Sequence, residues 1–213
     1  MWKQELHVTN VYSIVPFRAQ VATLGSYKLM NIYAPIGSDK VHERSVFFSQ
    51  DIFQFLHMEP RSIWISGGDY NAILKPIDVE GGTGFDRKKC AALADLIKSA
   101  NLVDIFRTKF PTAQEFNFHR TNCASSRLDK FYIARNLVNA VQNVAHVASL
   151  SDHFAVKMRI NLNLGNAQYL SHQRHTYWKL NTSILDDESL MPSFKLLWED
   201  ICTRENEYVD VAD

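Results

Sequence analysis

The sequence predicts a layered α/β fold in which helices cover β-sheets, and three patterns carry that prediction. Short β-prone runs recur along the chain, Gly and Pro residues punctuate them, and two intervening stretches have the apolar spacing of amphipathic helices. Strands that outnumber the helices between them are typical of sheets packed against helices. The chain has 213 residues and 46% of them are hydrophobic, which is enough to bury a core.

The first predicted elements are a β-hairpin and a helix. Residues 17–24 and 27–33 are β-prone runs separated by Gly25 and Ser26, and Pro35 follows the second run. The stretch 41–58 has the spacing of an amphipathic helix. Its predicted buried face consists of Phe48, Ile52, Phe55 and Leu56.

A strand over residues 62–66 leads into Gly67, Gly68 and Asp69, and Asp86 is the predicted N-cap of a second helix. The buried face of that helix is predicted to comprise Leu93, Leu96, Ile97 and Ala100. Further strands are predicted at 102–106, 115–119, 127–133, 141–147 and 154–160. Near residue 165 the sequence changes from strand-rich to polar and then helical in character. We therefore divide the chain into a domain over 1–165 and a polar and helical connector over 166–213.

Composition limits the classes of partner. The chain has 23 Lys and Arg residues and 23 Asp and Glu residues, so any contact with nucleic acid has to be local. No apolar run approaches the ~20 residues that a bilayer span requires, and the N-terminus does not resemble a signal peptide. We therefore expect no membrane partner and an intracellular protein.

Four segments place polar residues at the ends of predicted strands, where rigid sheets present functional groups. They are 31–35, 68–71, 126–129 and 151–153. Each also has a plain structural explanation, which the residues alone leave open. Asp69, Asn71 and Asp152 fit turn caps, and His153 fits an ordinary half-buried histidine. Tyr33 fits a sheet tyrosine, and Asp129 fits an ion pair with Lys130 or Arg127.

The order of these segments gives a more specific interpretation. The succession NIYAPI, ISGGDYNAIL, EFNFHR, SRLDKFYI and SLSDHFAVKMRI resembles the signatures of the apurinic-endonuclease-like domain of LINE-type (non-long-terminal-repeat) retrotransposons. That domain belongs to the exonuclease/endonuclease/phosphatase superfamily. The resemblance runs from about residue 10 to residue 162, and YWKLN resembles the connector that precedes the reverse transcriptase, or RNA-directed DNA polymerase, in such elements. It implies a DNase I-like four-layer fold, with a two-sheet β-sandwich flanked by helices.

The resemblance also implies a Mg²⁺-assisted site that hydrolyses a phosphodiester of DNA, and hence a nuclear location. Asp69 would activate the attacking water, Asn71 would donate a hydrogen bond to the scissile phosphate, and Tyr33 would position that phosphate. His153 would face the developing negative charge, with its ring oriented by Asp129. The metal ligand would be Asp152, and the substrate-binding residues would be Asn117 and Ser151.

Two departures from the family pattern affect these expectations. Asn117 stands where the family has a small hydroxyl residue. The family begins with an Asn-bearing strand and a strand whose Glu is the principal metal ligand, and nothing before residue 10 fits that layout. Gln4-Glu5 matches the family's QE, but it has no preceding apolar strand and lies closer to Tyr33 than the family's spacing, so Glu5 is only a minor candidate for that ligand. We therefore expect a partial sandwich that lacks its N-terminal strands, weak Mg²⁺ binding and impaired DNA endonuclease activity. The alternatives are an inert folded remnant and a phosphatase or RNA-degrading member of the superfamily.

Overall fold

A computed structural model describes residues 8–37, 39–80, 85–119, 125–149 and 151–164. Glu5 and the predicted connector 166–213 lie outside the described residues, so the domain boundary predicted near residue 165 stays a prediction. The described strands are, in chain order, β1 Val8–Val15, β2 Ala19–Leu24, β3 Tyr27–Tyr33, β4 Ile63–Asp69, β5 Val79–Glu80, β6 Leu102–Asp104, β7 Phe118–His119, β8 Ser125–Ser126, β9 Asp129–Ala134, β10 Val141–Val147 and β11 Ala155–Ile160. The α-helices are α1 Val41–Val46, α2 Phe53–Met58, α3 Ala91–Ser99 and α4 Ile105–Lys109. Shorter helical turns are a π-helical turn at Phe47–Ile52 and 3₁₀ turns at Pro76–Asp78, Arg87–Cys90 and Arg135–Ala140.

The main sheet has six strands in the order β1-β2-β3-β4-β9-β6. Its only parallel pair among the described strands is β3 with β4, and the helical stretch from α1 to α2 connects them. Strands β10 and β11 form a two-stranded antiparallel sheet, and β5, β8 and β7 form a small third sheet. The predicted α/β class, with sheets flanked by helices, is confirmed.

The two faces of the main sheet are covered by different elements. Because side chains alternate between faces along a strand, residues such as Met30, Trp64 and Tyr132 pack with the helices in one core. Tyr27, Ile65 and Ile133 point to the other face and pack in a second core that includes residues of α4, β10 and β11. The main sheet is therefore the middle layer of the described fold.

The predicted helix over 41–58 is present and contains a π-helical turn in its middle. Phe48, Ile52 and Leu56 are buried as predicted, and Phe55 is half-buried with its ring edge against Trp64, 5.6 Å between ring centroids. Phe47 is buried as well. Phe47 and Phe48, which begin the π-helical turn, both face the core, with 5.1 Å between their ring centroids.

The second predicted helix also begins where the sequence indicates. The carboxylate of Asp86 accepts a hydrogen bond from the backbone N–H of Lys88 at 2.9 Å, and a 3₁₀ turn then leads into α3. Leu93 and Leu96 of this helix are buried in the core. The N-cap and the apolar stripe were both readable from the sequence.

Two predicted strands are shorter in the structure, and one strand was not predicted. Strand β1 was not predicted, although it forms an edge of the main sheet. The strand predicted at 102–106 stops at Asp104, because the carboxylate of that residue caps α4 through the backbone N–H of Arg107. The strand predicted at 115–119 shrinks to Phe118–His119.

No helix among the described residues is long and apolar enough to cross a membrane.

Candidate active site

Three polar side chains form a row across neighbouring strands at one end of the main sheet. Tyr33 ends β3 and pairs with Asp69 at the end of β4, and Asp69 pairs with Asp129 at the start of β9. Paired positions on adjacent strands share a face, and their Cβ atoms lie roughly 5 Å apart. The sheet register therefore brings together three of the predicted site residues.

Asp69 and Asn71 form a closed turn after β4. The backbone N–H of Asn71 donates to Oδ1 of Asp69 at 2.9 Å, and its side-chain Nδ2 donates to Oδ2 of the same carboxylate at 2.9 Å. Nδ2 also donates to the carbonyl of Ala34 at 2.9 Å, which ties this turn to the segment after β3. Both amide hydrogens of Asn71 are therefore used, so the predicted donation to a phosphate requires one of these bonds to be exchanged.

The predicted contact between Asp129 and His153 is present. Nδ1 of His153 lies 2.7 Å from Oδ2 of Asp129, and both side chains are about one quarter exposed or less. The imidazole also lies against the ring of Phe118, with 4.7 Å between ring centroids. A carboxylate on Nδ1 fixes the orientation of the ring and leaves Nε2 as the nitrogen that can meet a ligand.

Asn117 connects the segments that carry this pair. It is fully buried, and its side-chain Oδ1 accepts from the backbone N–H groups of Leu128 at 2.8 Å and Asp129 at 3.0 Å. Its Nδ2 donates to the carbonyl of Asp129 at 2.6 Å. The observed role of Asn117 is thus to hold the backbone of Asp129, and its predicted contact with substrate stays a prediction.

Ser151 and Asp152 lie on the exposed turn before His153. The hydroxyl of Ser151 donates to Oδ1 of Asp152 at 3.0 Å and accepts from the backbone N–H of His153 at 3.2 Å. The carbonyl of Asp152 accepts from the backbone N–H of His119 at 3.0 Å. These bonds shape the turn that presents His153, and the predicted substrate and metal roles of Ser151 and Asp152 stay predictions.

The carboxyl of Asp69 has a distinctive electrostatic environment. Its side chain is largely removed from water, and this burial raises its pKa above the usual range for Asp. The hydrogen bond from Asn71 opposes the shift, the charge of Asp129 adds to it, and the charges of His153 and Lys130 oppose it. A buried carboxylate with a raised pKa is a better proton acceptor than an ordinary surface Asp.

The structure adds a residue to the site that the sequence did not indicate. Lys130 is 1% exposed and points to the helix-covered face, opposite to Asp129. Its ammonium donates to the carbonyl of Ala72, immediately after Asn71. Burial, followed by the charge of Arg127, lowers the pKa of Lys130 to about 8. A lysine inside an otherwise apolar strand was the only sequence signal for this role.

Two further basic residues of this region, Arg127 and Arg44, are engaged in other contacts. Arg127 is buried and forms ion pairs with Asp78, at 2.8 Å, and with Asp104. Asp129 therefore pairs with His153, and its plain structural alternative, an ion pair with Lys130 or Arg127, is not what the structure has. Arg44 donates to the carbonyl of Pro35 at 2.7 Å and so supports the segment that follows Tyr33.

The donor set bears on whether a metal ion fits. No group of three or more His, Cys, Asp or Glu side chains that could hold a metal ion occurs among the described residues. Mg²⁺ nevertheless binds many sites through one or two carboxylates, with water and substrate phosphate completing its coordination. Asp69 and Asp129 pair on adjacent strands and could supply such carboxylate oxygens, so the described residues fit at most a cation held by one or two carboxylates with water and phosphate.

Comparisons with known proteins identify a sequence relative and solved structures of similar fold. No family model matches the chain. Over 199 residues the chain is 29% identical to the uncharacterized 149 kDa protein of transposon TX1 from Xenopus laevis. The match covers 90% of this chain and 14% of that protein. The chain thus spans about one seventh of the length of this curated relative.

Solved structures show the same fold. An AP endonuclease from Archaeoglobus fulgidus superposes with a TM-score of 0.64 and 17% identity, covering 74% of this chain and 72% of that one. A 3'-5' exonuclease from Neisseria meningitidis superposes with a TM-score of 0.62 and 16% identity, covering 74% of this chain and 73% of that one. An AP endonuclease from Leishmania major superposes with a TM-score of 0.58 and 20% identity, covering 66% of this chain and 54% of that one.

The solved structures show that the chain has the fold of AP endonucleases and of a 3'-5' exonuclease. The relative found by sequence is a transposon protein, in agreement with the predicted resemblance to the endonuclease domain of a LINE-type retrotransposon.

Proposed function

We propose that this chain is a transposon-derived, metal-dependent DNA endonuclease that hydrolyses phosphodiester bonds at the end of the main sheet defined by Tyr33, Asp69 and Asp129. The observation that carries the proposal is the hydrogen bond between Asp129 and His153 beside the buried carboxylate of Asp69. Turn caps and a surface histidine have no structural reason to meet in this way. The likeness to solved nucleases supports the fold that positions them.

Asp69 is the proposed base that takes a proton from the attacking water. A carboxylate has about four lone-pair positions, and the two hydrogen bonds from Asn71 leave acceptor positions for that water. His153 is the proposed donor to the phosphate oxygens. Since Nδ1 is engaged with Asp129, donation from Nε2 requires the doubly protonated ring.

Tyr33 is the proposed contact for the phosphate on the other side of Asp69. Its ring is 45% exposed, so its hydroxyl is accessible to a ligand approaching this end of the sheet. When bound, a divalent cation, Mg²⁺ by resemblance, would neutralise the negative charge that develops on the phosphate. Asp152 is the proposed protein ligand with the most accessible carboxylate. Because the described residues lack a three-ligand group, we propose that the cation binds weakly and that catalysis is slow.

Nicking of supercoiled plasmid DNA over a range of Mg²⁺ concentrations tests the proposal. We expect slow nicking that requires Mg²⁺ and does not saturate at low millimolar concentration. Asp69→Asn should reduce the rate by about a hundredfold or more, because it removes the base while keeping the size of the side chain.

Asp95→Asn is the matched control, since Asp95 is an exposed carboxylate on α3. It should nick at the wild-type rate. Nicking that survives in Asp69→Asn would contradict the assigned base. A wild-type chain that binds DNA and shows no nicking at any Mg²⁺ concentration would favour the inert-remnant alternative.

A further inference from the structure

The turn between β1 and β2 has an unusual composition for its position. Phe17 occupies it with 95% of its surface exposed, the largest exposed fraction among the exposed large hydrophobic residues described. Its backbone has a positive φ of 61°, a conformation that glycine adopts readily and a bulky residue does not. A side chain that gains no burial and strains the backbone does not stabilise the fold. Such a side chain is a candidate for contact with a ligand.

The turn lies at the same end of the main sheet as the candidate site. Strand β2 begins at Ala19, which pairs with Ile32, the residue before Tyr33. The backbone N–H of Tyr33 donates to the carbonyl of Arg18 at 2.7 Å. Two strand spacings of roughly 4.8 Å therefore separate the turn from Asp69, a distance of roughly 10 Å.

Arg18 connects the turn to the site chemically. Its guanidinium lies over the ring of Tyr33, 5.1 Å from the ring centroid. Its Nη1 is buried and has no hydrogen-bond partner within the part of the chain that the structure describes. A guanidinium nitrogen without an acceptor is costly, and the half-buried Arg18 side chain can turn to bring this nitrogen to an anionic oxygen of a ligand.

We propose that Phe17 and Arg18 form a DNA-contacting tip, in which the Phe17 ring stacks on a base close to the scissile phosphate and Arg18 binds a neighbouring backbone phosphate. The inference rests on the proposed endonuclease function and extends it to how the strand is held. An exposed aromatic ring beside a cation is the pairing by which proteins hold accessible bases and the adjoining backbone. The net charge of zero makes such a local contact more important, because the chain as a whole does not attract DNA.

Stacking and phosphate contacts predict different salt dependence. Stacking on Phe17 depends little on ionic strength, whereas each phosphate contact contributes to the slope of log Kd against log salt. Loss of Arg18 should therefore flatten that slope by about one unit, and loss of the Phe17 ring should leave it unchanged.

The test measures fluorescence anisotropy of labelled duplexes with EDTA present, so that the result does not depend on catalysis. One duplex is fully paired, and a second carries three unpaired bases at its centre. Phe17→Leu should weaken binding to the second duplex by about tenfold, since stacking on one base contributes about that much. Phe17→Trp should retain wild-type affinity. Leu and Trp both carry a Cβ, so the backbone strain is common to the two variants.

Phe17→Gly separates binding from folding. It should weaken DNA binding as Phe17→Leu does, and it should raise the Tm by roughly 2–4 °C because glycine relieves the positive φ. Met58→Ala is the control for loss of an exposed apolar side chain. Met58 is 71% exposed and precedes the start of β4, at the opposite end of the sheet from Asp69.

The outcomes distinguish this inference from the proposed function. Wild-type affinity in both Phe17→Leu and Phe17→Gly, together with nicking that Asp69→Asn abolishes, would overturn the tip and leave the endonuclease intact. Equal weakening on the two duplexes would overturn base stacking. Absence of DNA binding by the wild-type chain would overturn the tip, and absence of nicking at every Mg²⁺ concentration would overturn the endonuclease as well.

Discussion

Lys130 shows how a single buried charge is accommodated behind the candidate site. Its ammonium donates to the carbonyl of Ala72, and the residues around it include two acidic side chains, Asp78 and Asp104, whose charges favour the protonated form. Burial and the charge of Arg127 outweigh the effect of these two carboxylates and lower the pKa of Lys130 to about 8. The protonated lysine therefore costs stability at neutral pH and also holds the turn that carries Asp69 and Asn71.

This pKa predicts a rise of stability with pH. Between pH 8 and 10.5 the unfolded chain keeps the Lys130 proton and the folded chain releases it, so the free energy of unfolding increases as the pH rises. The gain from this residue is up to about 3 kcal/mol. Urea unfolding at pH 7 to 10.5 should show the rise in the wild type and not in Lys130→Met.

Lys98→Met removes an exposed lysine of α3 and serves as the control. It should keep the wild-type pH dependence. Tyr70 and Tyr132 have pKa values raised by burial and are present in all three proteins, so their effects cancel in the comparison. Parallel curves for the wild type and Lys130→Met would contradict the lowered pKa.

At the residue scale the sequence predicted the site through the resemblance and not through the residues singly. The Asp129 to His153 contact was predicted because the two motifs occur in a known order, and the structure confirms it. Lys130 and Phe17 were not predicted as site residues. Whether a lysine is buried, or a phenylalanine exposed at positive φ, depends on tertiary packing that no local pattern records.

Among the elements, the end of β4 shows how closely two strands approach at the site. Gly68 has a φ of 135°, and a Cβ there would lie 2.0 Å from the carbonyl oxygen of Ile32 on β3. Backbone cannot move aside as the end of a side chain can. Glycine at this position therefore allows β3 and β4 to pair up to Tyr33 and Asp69.

Gly68→Ala should destabilise the fold by about 3 kcal/mol or more, because both the backbone conformation and the space exclude a Cβ. Gly25→Ala is the matched control, since Gly25 also has a positive φ, 58°, and its nearest neighbour would be 3.7 Å away. It should cost about 1 to 2 kcal/mol. Chemical denaturation measures both, and equal losses would show that the close contact with Ile32 is unimportant.

Element boundaries were predictable where the signal is local. The Asp86 cap, the β2–β3 hairpin and strand β10 all occur as the sequence indicates. Strand β1 was missed because its polar and apolar residues do not alternate cleanly, and two irregularities interrupt its pairing with β2. The π-helical turn was likewise not predicted, because the apolar spacing of the stretch 41–58 matches a regular α-helix.

On the scale of the whole molecule, a buried ion cluster connects parts of the chain that are distant in sequence. Asp78 accepts from Arg127 and from Arg107, and Arg127 also pairs with Asp104. These residues come from a 3₁₀ turn, α4, β6 and the segment between β8 and β9. Burial opposes ionisation of Asp78, and the hydrogen bonds and charge of Arg127 outweigh it, so the pKa of Asp78 is lowered.

A lowered pKa makes this cluster sensitive to acid. Asp78 contributes stability above its unfolded pKa of 3.8, and that contribution is lost as the pH falls through the lower folded value. Asp78→Asn should cost about 3 to 5 kcal/mol at pH 7, because it leaves buried arginines without their partner. Below pH 4 its unfolding free energy should approach that of the wild type, as measured by urea titration.

Asp95→Asn again provides the control, since it removes an exposed carboxylate and should follow the wild type at every pH. An Asp78→Asn variant that remains less stable by the same amount at pH 7 and at pH 2.5 would show that the cluster acts through shape and not through charge.

The parallel pairing of β3 with β4 has a consequence for the order in which the molecule forms. A parallel pair needs a long crossover, and here the chain passes through α1 and α2 before the two strands meet. Contacts between residues far apart in sequence form late, because the intervening loop has to be closed first. The row of Tyr33, Asp69 and Asp129 consists of such distant contacts alone. During synthesis the row of Tyr33, Asp69 and Asp129 is therefore incomplete until residue 129 has joined the sheet.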